Sequence, residues 1–122
     1  MNKAQAIDAF WNSFGLPAYD ENTVPQNAEM PRITYEFSTG SLGDILSMSA
    51  SVWYMGTSWR EASQKAGEIE KRIGEHGGEL IQLENGLVWI TKGTPFSVRM
   101  SDPNDMVRRI RINTNVEYLT AY

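Results

Sequence analysis

An α+β fold is predicted for this chain, with two helices packed on one face of a mostly antiparallel sheet in the order α-β-β-α-β-β-β-β. Two segments carry apolar residues at helical spacing, and most other segments alternate apolar and polar residues as strands do. Runs of strands with helices set to one side are typical of α+β domains. The 122 residues, 41% of them hydrophobic, suit a single domain spanning residues 1–122.

The first helix is predicted at the N-terminus. Asn2 is placed to cap it and Gly15 to end it. Its apolar face follows the i, i+3, i+4, i+7 spacing through Ile7, Phe10, Trp11 and Phe14. The next segment, Leu16–Pro31, has three prolines and no periodicity, so we predict a long surface loop there.

A hairpin and a second helix are predicted next. Around a turn at Ser38–Gly43, apolar residues alternate with polar ones at Ile33, Tyr35, Phe37, Leu46, Met48, Ala50, Val52 and Tyr54. The helix is predicted to begin at Ser58, which forms a capping-box pattern with Glu61, and to end at Gly74 or at the Gly77-Gly78 pair. Its buried stripe comprises Trp59, Ala62, Ala66, Ile69 and Ile73.

Four strands are predicted after this helix. Leu80–Leu83 and Leu87–Lys92 flank an Asn85-Gly86 turn, which favours a tight hairpin. A Gly93-Thr94-Pro95 corner then leads to a third strand, in which Phe96, Val98 and Met100 are expected to face the core.

The last predicted strand is the longest. It follows an Asp-Pro turn and runs for about a dozen residues, against the usual five or six. One face carries Ile110, Ile112, Val116 and Tyr118, and the other carries Arg109, Arg111, Asn113 and Glu117. This length and this charged face indicate pairing or assembly rather than catalysis.

Composition narrows the function classes. The chain has no cysteine, which excludes disulfides and thiolate metal sites. No segment has the roughly 18 apolar residues of a membrane helix, so we expect no membrane partner. The net charge of −4 is uneven: residues 1–91 hold 6 Lys/Arg and 12 Asp/Glu, and residues 92–122 hold 5 and 3. This asymmetry favours head-to-tail contacts between identical subunits.

Candidate catalytic groups are few. His76 follows a helix end, and no serine, cysteine or acid stands at the spacing of a catalytic triad. Asp102, Asn104 and Asp105 lack the further ligands of a calcium loop. The glycines after the second helix match no nucleotide-binding motif. We therefore expect no enzyme, no metal and no cofactor.

Candidate interface residues are five. Arg99, Arg108, Arg109 and Arg111 form the one basic cluster of the sequence. An acidic chain with four such arginines gains little affinity for DNA, so we favour a subunit or partner contact for them. Trp53 falls on the serine side of its strand and is the candidate aromatic anchor.

Three phrases, together with the order of elements, resemble the tail-terminator (tail-completion, head–tail joining) proteins of long-tailed phages and prophages. They are IDAFWNSFGLPAYDENTVP, ASVWYMGTSW and GTPFSVRMSDPNDMVRRIRINTNVEYLT. The resemblance covers essentially the whole chain, and none of the phrases is a catalytic signature.

The resemblance implies a structural protein without enzymatic activity. Such a subunit forms a ring, commonly a hexamer, at the head-proximal end of the tail tube, stops tail polymerisation and joins the tail to the head connector. The implied partners are copies of itself, the tail tube protein and the head–tail connector protein, with DNA passing through the ring without specific binding. The implied location is the host cytoplasm during assembly and then the tail or neck of the virion.

Three other interpretations stay open. A head-side neck connector can share a related fold. A small peptide-binding module would use the long final strand at a sheet edge. An enzyme would have to use backbone donors and a carboxylate from the long loops.

Overall fold

The computed structural model describes all residues, 1–122, as two helices and one six-stranded sheet, which confirms the predicted α+β fold class. The helices are α1 (Lys3–Asn12) and α2 (Arg60–Gly74). The strands are β1 (Ala18–Asp20), β2 (Arg32–Tyr35), β3 (Ile45–Met55), β4 (Glu79–Leu83), β5 (Gly86–Met100) and β6 (Val107–Thr120). No helix in the structure combines the length and apolar character that a membrane span requires.

The sheet has the strand order β1-β2-β3-β6-β5-β4. Its pairs are antiparallel except β1 with β2, which run parallel. The short β1 lies inside the segment predicted as a loop, where Ala18 pairs with Ile33. The predicted strand Leu87–Lys92 and the predicted strand that begins at Phe96 are one continuous strand, β5. The total of two helices and six strands is as predicted.

Both helices pack on the same sheet face, as predicted. The buried residues of α1 and α2 join one core with the even-numbered residues of β3 and β6. Along the strand order, α1 contacts β1 and β2 at one edge of the sheet and β4 at the other. The sheet therefore curls around the helices, and α1 bridges its two edges.

The two helices differ in how their N-termini are capped. Asn2 caps α1 as predicted: its side chain accepts from the amide of Gln5 at 2.8 Å, and the Gln5 side chain accepts from the Asn2 amide at 3.0 Å. The capping box predicted for α2 is absent. That helix begins at Arg60, and the Ser58 hydroxyl accepts from the Arg60 amide at 3.1 Å.

A bulge interrupts β5 at the predicted corner. Between Lys92 and Ser97 the strand takes five residue steps, whereas its partner β6 takes two, between Thr114 and Ile112. The Asn113 side chain donates to the Pro95 carbonyl at 2.8 Å, and that of Asn115 donates to the Lys92 carbonyl at 3.5 Å. These two side-chain bonds link the ends of the bulge to β6.

Gly93 is required at the bulge by close backbone approach. A Cβ atom at this position would lie 2.9 Å from the carbonyl carbon and oxygen of Asn113. Because both atoms belong to the backbone of a paired strand, they cannot move aside without breaking the ladder. Glycine is thus the one residue that lets β5 pass so close to β6.

The bulge reverses the side-chain alternation of β5, and the prediction that Val98 and Met100 face the core was wrong. An odd number of extra residues shifts every later residue to the opposite face. Val98 pairs with Arg111 and Met100 pairs with Arg109, so both lie on the face away from the helices. Phe96, within the bulge, packs partly against the core.

Candidate interaction surface

The sheet face away from the helices is here called the open face. Residues that pair across neighbouring strands share a face, so the register places one set on it. On the three central strands this set comprises Ile45, Ser47, Ser49, Ser51, Trp53, Leu87, Trp89, Thr91, Val98, Met100 and the odd-numbered residues from Arg109 to Leu119. It contains large apolar side chains that no helix covers.

One row across the open face is mainly apolar. Leu80 pairs with Trp89, Trp89 with Glu117, and Glu117 with Ile45. Ile45 is 69% exposed, Leu80 62% and Trp89 39%. Leu87, two residues before Trp89, is also exposed. Exposed apolar residues that are contiguous and rimmed by polar groups mark sites of protein contact.

Besides Arg109, the open face of β6 carries two opposite charges. Glu117 lies within the apolar row, and Arg111 lies six positions earlier, about 20 Å away at 3.4 Å per residue. Neither side chain forms a hydrogen bond or an ion pair within the chain. Arg111 is exposed and is flanked on β5 by Val98. Both charges are thus available to a partner.

Trp53 is stacked between two arginines of its own chain. The guanidinium carbon of Arg109 lies 4.6 Å from the centroid of the Trp53 ring, and that of Arg32 lies 5.4 Å from it. The indole Nε1 group donates to the Thr34 hydroxyl at 2.8 Å, and the Arg109 Nε group donates to the Ser51 hydroxyl at 2.9 Å. Cation–π stacking and these bonds hold Trp53 half-buried against the sheet.

Arg108 and Arg99 lie on the helix side of the sheet, around Trp59. The guanidinium of Arg108 donates to the backbone carbonyls of Asp105 at 2.6 Å and Thr57 at 3.2 Å. The guanidinium carbons of Arg108 and Arg99 lie 5.5 Å and 4.9 Å from the Trp59 ring. Arg108 therefore ties the β5–β6 loop to the start of α2, whereas Arg99 stays exposed.

The five residues predicted as an interface thus do not form a single patch. Arg99 and Arg108 gather at Trp59 on one side of the sheet, and Arg109 stacks on Trp53 on the other. Arg111 is the one predicted arginine that is exposed on the open face without an internal contact.

The apolar row was missed because no face was predicted for Leu80–Leu83 or Leu87–Lys92. A signal was present in Leu87-Val88-Trp89-Ile90, where four consecutive residues are apolar. In a strand such a run places apolar side chains on both faces. Since the two helices cover one face, the other half of the run must meet solvent or a partner.

The candidate catalytic and metal-binding side chains either form hydrogen bonds within a turn or are exposed to solvent. The carboxylate of Asp102 accepts from the Asn104 amide at 2.9 Å, and the Asn104 side chain accepts from the Met106 amide at 3.0 Å, so both shape the turn. His76 is exposed after α2. No group of three or more His, Asp or Glu side chains has a metal-binding arrangement.

Two buried tyrosines carry raised pKa values. Burial raises the pKa of Tyr118 to about 12, and its hydroxyl donates to the Ser38 carbonyl at 2.8 Å. Burial, and then the hydrogen bond from its hydroxyl to the Asp8 carboxylate at 2.7 Å, raise the pKa of Tyr35 well above its usual range. Both hydroxyls serve as neutral donors that link elements of the core.

Comparisons with known proteins give one likeness to a solved structure. No family model and no curated protein matches the sequence. The fold is similar to that of a chain in a structure described as the virion of a native gene transfer agent (GTA) particle, with a TM-score of 0.64. The likeness covers 95% of this chain and 96% of that chain at 13% sequence identity. The chain shares its whole fold with that virion chain.

Proposed function

We propose that this chain is a structural, non-enzymatic protein of a phage-type virion, and that it forms a ring at the head-proximal end of the tail tube. There it ends tail polymerisation and joins the tail to the head connector. The observation that carries the proposal is the fold similarity to a virion chain over nearly the full length of both chains. The resemblance of three sequence segments to tail-terminator proteins supports the same role.

The distribution of surface groups also supports an assembly role. An exposed apolar row and an unpaired arginine occupy the open face, whereas the polar groups considered for chemistry lie in turns or in solvent. Proteins that assemble use such uncovered faces, and a heterologous contact between copies closes into a ring when its rotation permits.

The test is capping of tail tubes. The purified chain is mixed with tail tubes from the phage or prophage that encodes it, and the tubes are imaged by negative-stain microscopy. We expect extra density at one end of each tube and no further growth when tube protein is added. Native mass spectrometry of the bound material should give one defined number of copies.

A matched pair of variants sharpens the test. Arg111→Glu changes an exposed charge on the open face, and Lys71→Glu makes the same change on the exposed side of α2. We expect R111E to weaken capping and K71E to leave it intact, with unchanged circular dichroism for both. Binding to the head connector but not to tubes would favour the neck-connector role and contradict the terminator role.

A peptide-binding module has one observation in its favour. Since β4 pairs only with Gly86–Ile90 of β5, the outer edge of β5 beyond Ile90 is unpaired. An extended peptide could add there as a strand. However, the bulge at residues 93–96 and Pro95, which has no amide hydrogen, interrupt that edge, so the structure supports this function less well.

A further inference from the structure

We propose that the open face is self-complementary, and that two copies of the free chain pack these faces together about a two-fold axis. The proposal concerns the chain before it meets any other component and does not depend on the role in a virion. It rests on the residues along β5 and β6, because those on one side of the middle of β6 complement those on the other side in charge or in apolar character.

The first half of the pattern is charge. Arg111 and Glu117 lie on the same face of β6, at equal distances on either side of Thr114. A two-fold axis that crosses the strands at this level, between two opposed sheets, places Arg111 of one copy against Glu117 of the other, and the reverse. One contact therefore forms two ion pairs, as an isologous interface requires.

The second half of the pattern is apolar. Trp89 is level with Glu117, and Val98 is level with Arg111. The same axis therefore places Trp89 of one copy opposite Val98 of the other. It also places Leu87 opposite Met100, because these residues are level with Leu119 and Arg109. Apolar side chains thus meet apolar side chains along β5, and two ion pairs form along β6. The same axis places Arg109, which stacks on Trp53, opposite Leu119, and Ile45 of β3 opposite Ser51.

The bulge in β5 produces this match. Without an odd number of extra residues, Val98 and Met100 would point toward the helices, and Ser97 and Arg99 would occupy the open face. Arg99 would then add positive charge to the open face. The glycine and the two asparagines that hold the bulge thereby also determine the face that a second copy meets.

The interface is small because the sheet curls. The central strands β3, β6 and β5 can oppose their counterparts, whereas the edge strands bend toward the helices. Three strands at about 4.8 Å spacing, over ten residue steps of about 3.4 Å, cover roughly 500 Å² per copy, which puts the total at the low end of specific interfaces. We therefore expect a reversible dimer that a stronger partner can separate.

The test uses sedimentation equilibrium of the full chain over a concentration series, with four variants. In the dimer of Arg111→Glu, both ion pairs are replaced by contacts between two glutamates. In the dimer of Glu117→Arg, both are replaced by contacts between two arginines. Each is expected to weaken dimerisation by about tenfold or more. The double variant R111E/E117R restores both ion pairs and should recover the wild-type dissociation constant to within about threefold. Lys71→Glu, an equal charge change away from the face, should have no effect.

A mixing experiment then tests the two-fold geometry. R111E and E117R, each weakened alone, form two attractive pairs when combined and should give a one-to-one heterodimer. A species larger than a dimer would indicate a head-to-tail contact and overturn the proposal. A chain that stays monomeric up to about 1 mM, or a dimer that neither variant weakens, would overturn it as well.

Discussion

The indole Nε1 group of Trp53 donates a hydrogen bond of 2.8 Å to the hydroxyl of Thr34, which is buried on the neighbouring strand. The guanidinium groups of Arg32 and Arg109 stack on the same indole ring. Trp53, which alternates with serines in the sequence, is therefore held in a cluster with Thr34, Arg32 and Arg109. The cluster fixes the β2–β3 side of the open face.

Replacing Thr34 by valine should destabilise the protein by about 1 kcal/mol, because the half-buried indole donor loses its acceptor. The measurement is urea unfolding followed by circular dichroism. Thr91→Val is the control, since Thr91 lies on the same face, is partly exposed and makes no side-chain hydrogen bond. Equal effects of the two substitutions would show that the bond contributes nothing.

The contrast between Arg108 and Arg111 gives a second prediction. Arg108→Ala removes guanidinium bonds to the carbonyls of Asp105 and Thr57 and should cost about 2 kcal/mol of unfolding free energy. Arg111→Ala should change it by less than about 0.5 kcal/mol, because this side chain is exposed and has no internal partner. Chemical denaturation at low protein concentration measures both. The reverse order would contradict the assignment of Arg108 to the fold.

Two glycines are predicted to respond in opposite ways to alanine. Gly93→Ala should destabilise the protein by about 1–3 kcal/mol, because its methyl group would lie 2.9 Å from the backbone of Asn113. Gly67→Ala, in the middle of α2 with no atom near the new methyl group, should stabilise it by about 0.5–1 kcal/mol. Thermal melting compares them. A neutral G93A would mean that the bulge can open without cost.

Alkaline pH should destabilise the protein through its buried tyrosines. Folding raises the pKa of Tyr118 from its ordinary value near 10 to about 12, so the folded state keeps the proton that the unfolded state releases. The stability that this group contributes is complete below pH 10 and is lost as the pH rises toward 12. Tyr35 and Tyr54 act in the same direction because their pKa values are also raised by burial.

The variant Tyr118→Phe measures how much of this pH dependence of stability is due to one tyrosine. The variant should lose about 1 kcal/mol at pH 7, since the bond to the Ser38 carbonyl is gone. It should then lose less stability than the wild-type protein between pH 9 and about 11, because one linked group has been removed. Urea unfolding at a series of pH values gives both slopes. Parallel slopes would show that Tyr118 does not carry the linkage.

Much of the fold follows from short-range patterns, since the period of the apolar residues assigns both helices and the even-numbered faces of β3 and β6. The parallel pairing of β1 could not be predicted, because three residues between prolines carry no period and gain their partner only from the tertiary fold. Gly93 and Pro95 indicate an interruption in β5. They do not indicate whether the number of extra residues is odd, and that number decides which face Val98 takes.

The candidate surface was predicted only in part for a related reason. Arginines that are neighbours in sequence alternate between faces of a strand, so Arg108 and Arg109 reach different tryptophans. Their ring partners, Trp59 and Trp53, lie about fifty residues away in the chain, and sequence spacing gives no measure of that approach. The isolated Arg111 could be identified only after the contacts of the other arginines were known.

The bridge that α1 makes between the two edges of the sheet delays the burial of part of its apolar face. The helix α1 lies at Lys3–Asn12, whereas β4, one of its neighbours, lies at Glu79–Leu83. During translation α1 can meet β1 and β2 early, whereas its remaining apolar surface stays uncovered until most of the chain has been made. The helix thus precedes the other elements in this sequence, yet it acquires β4 as a neighbour only after α2 has been made.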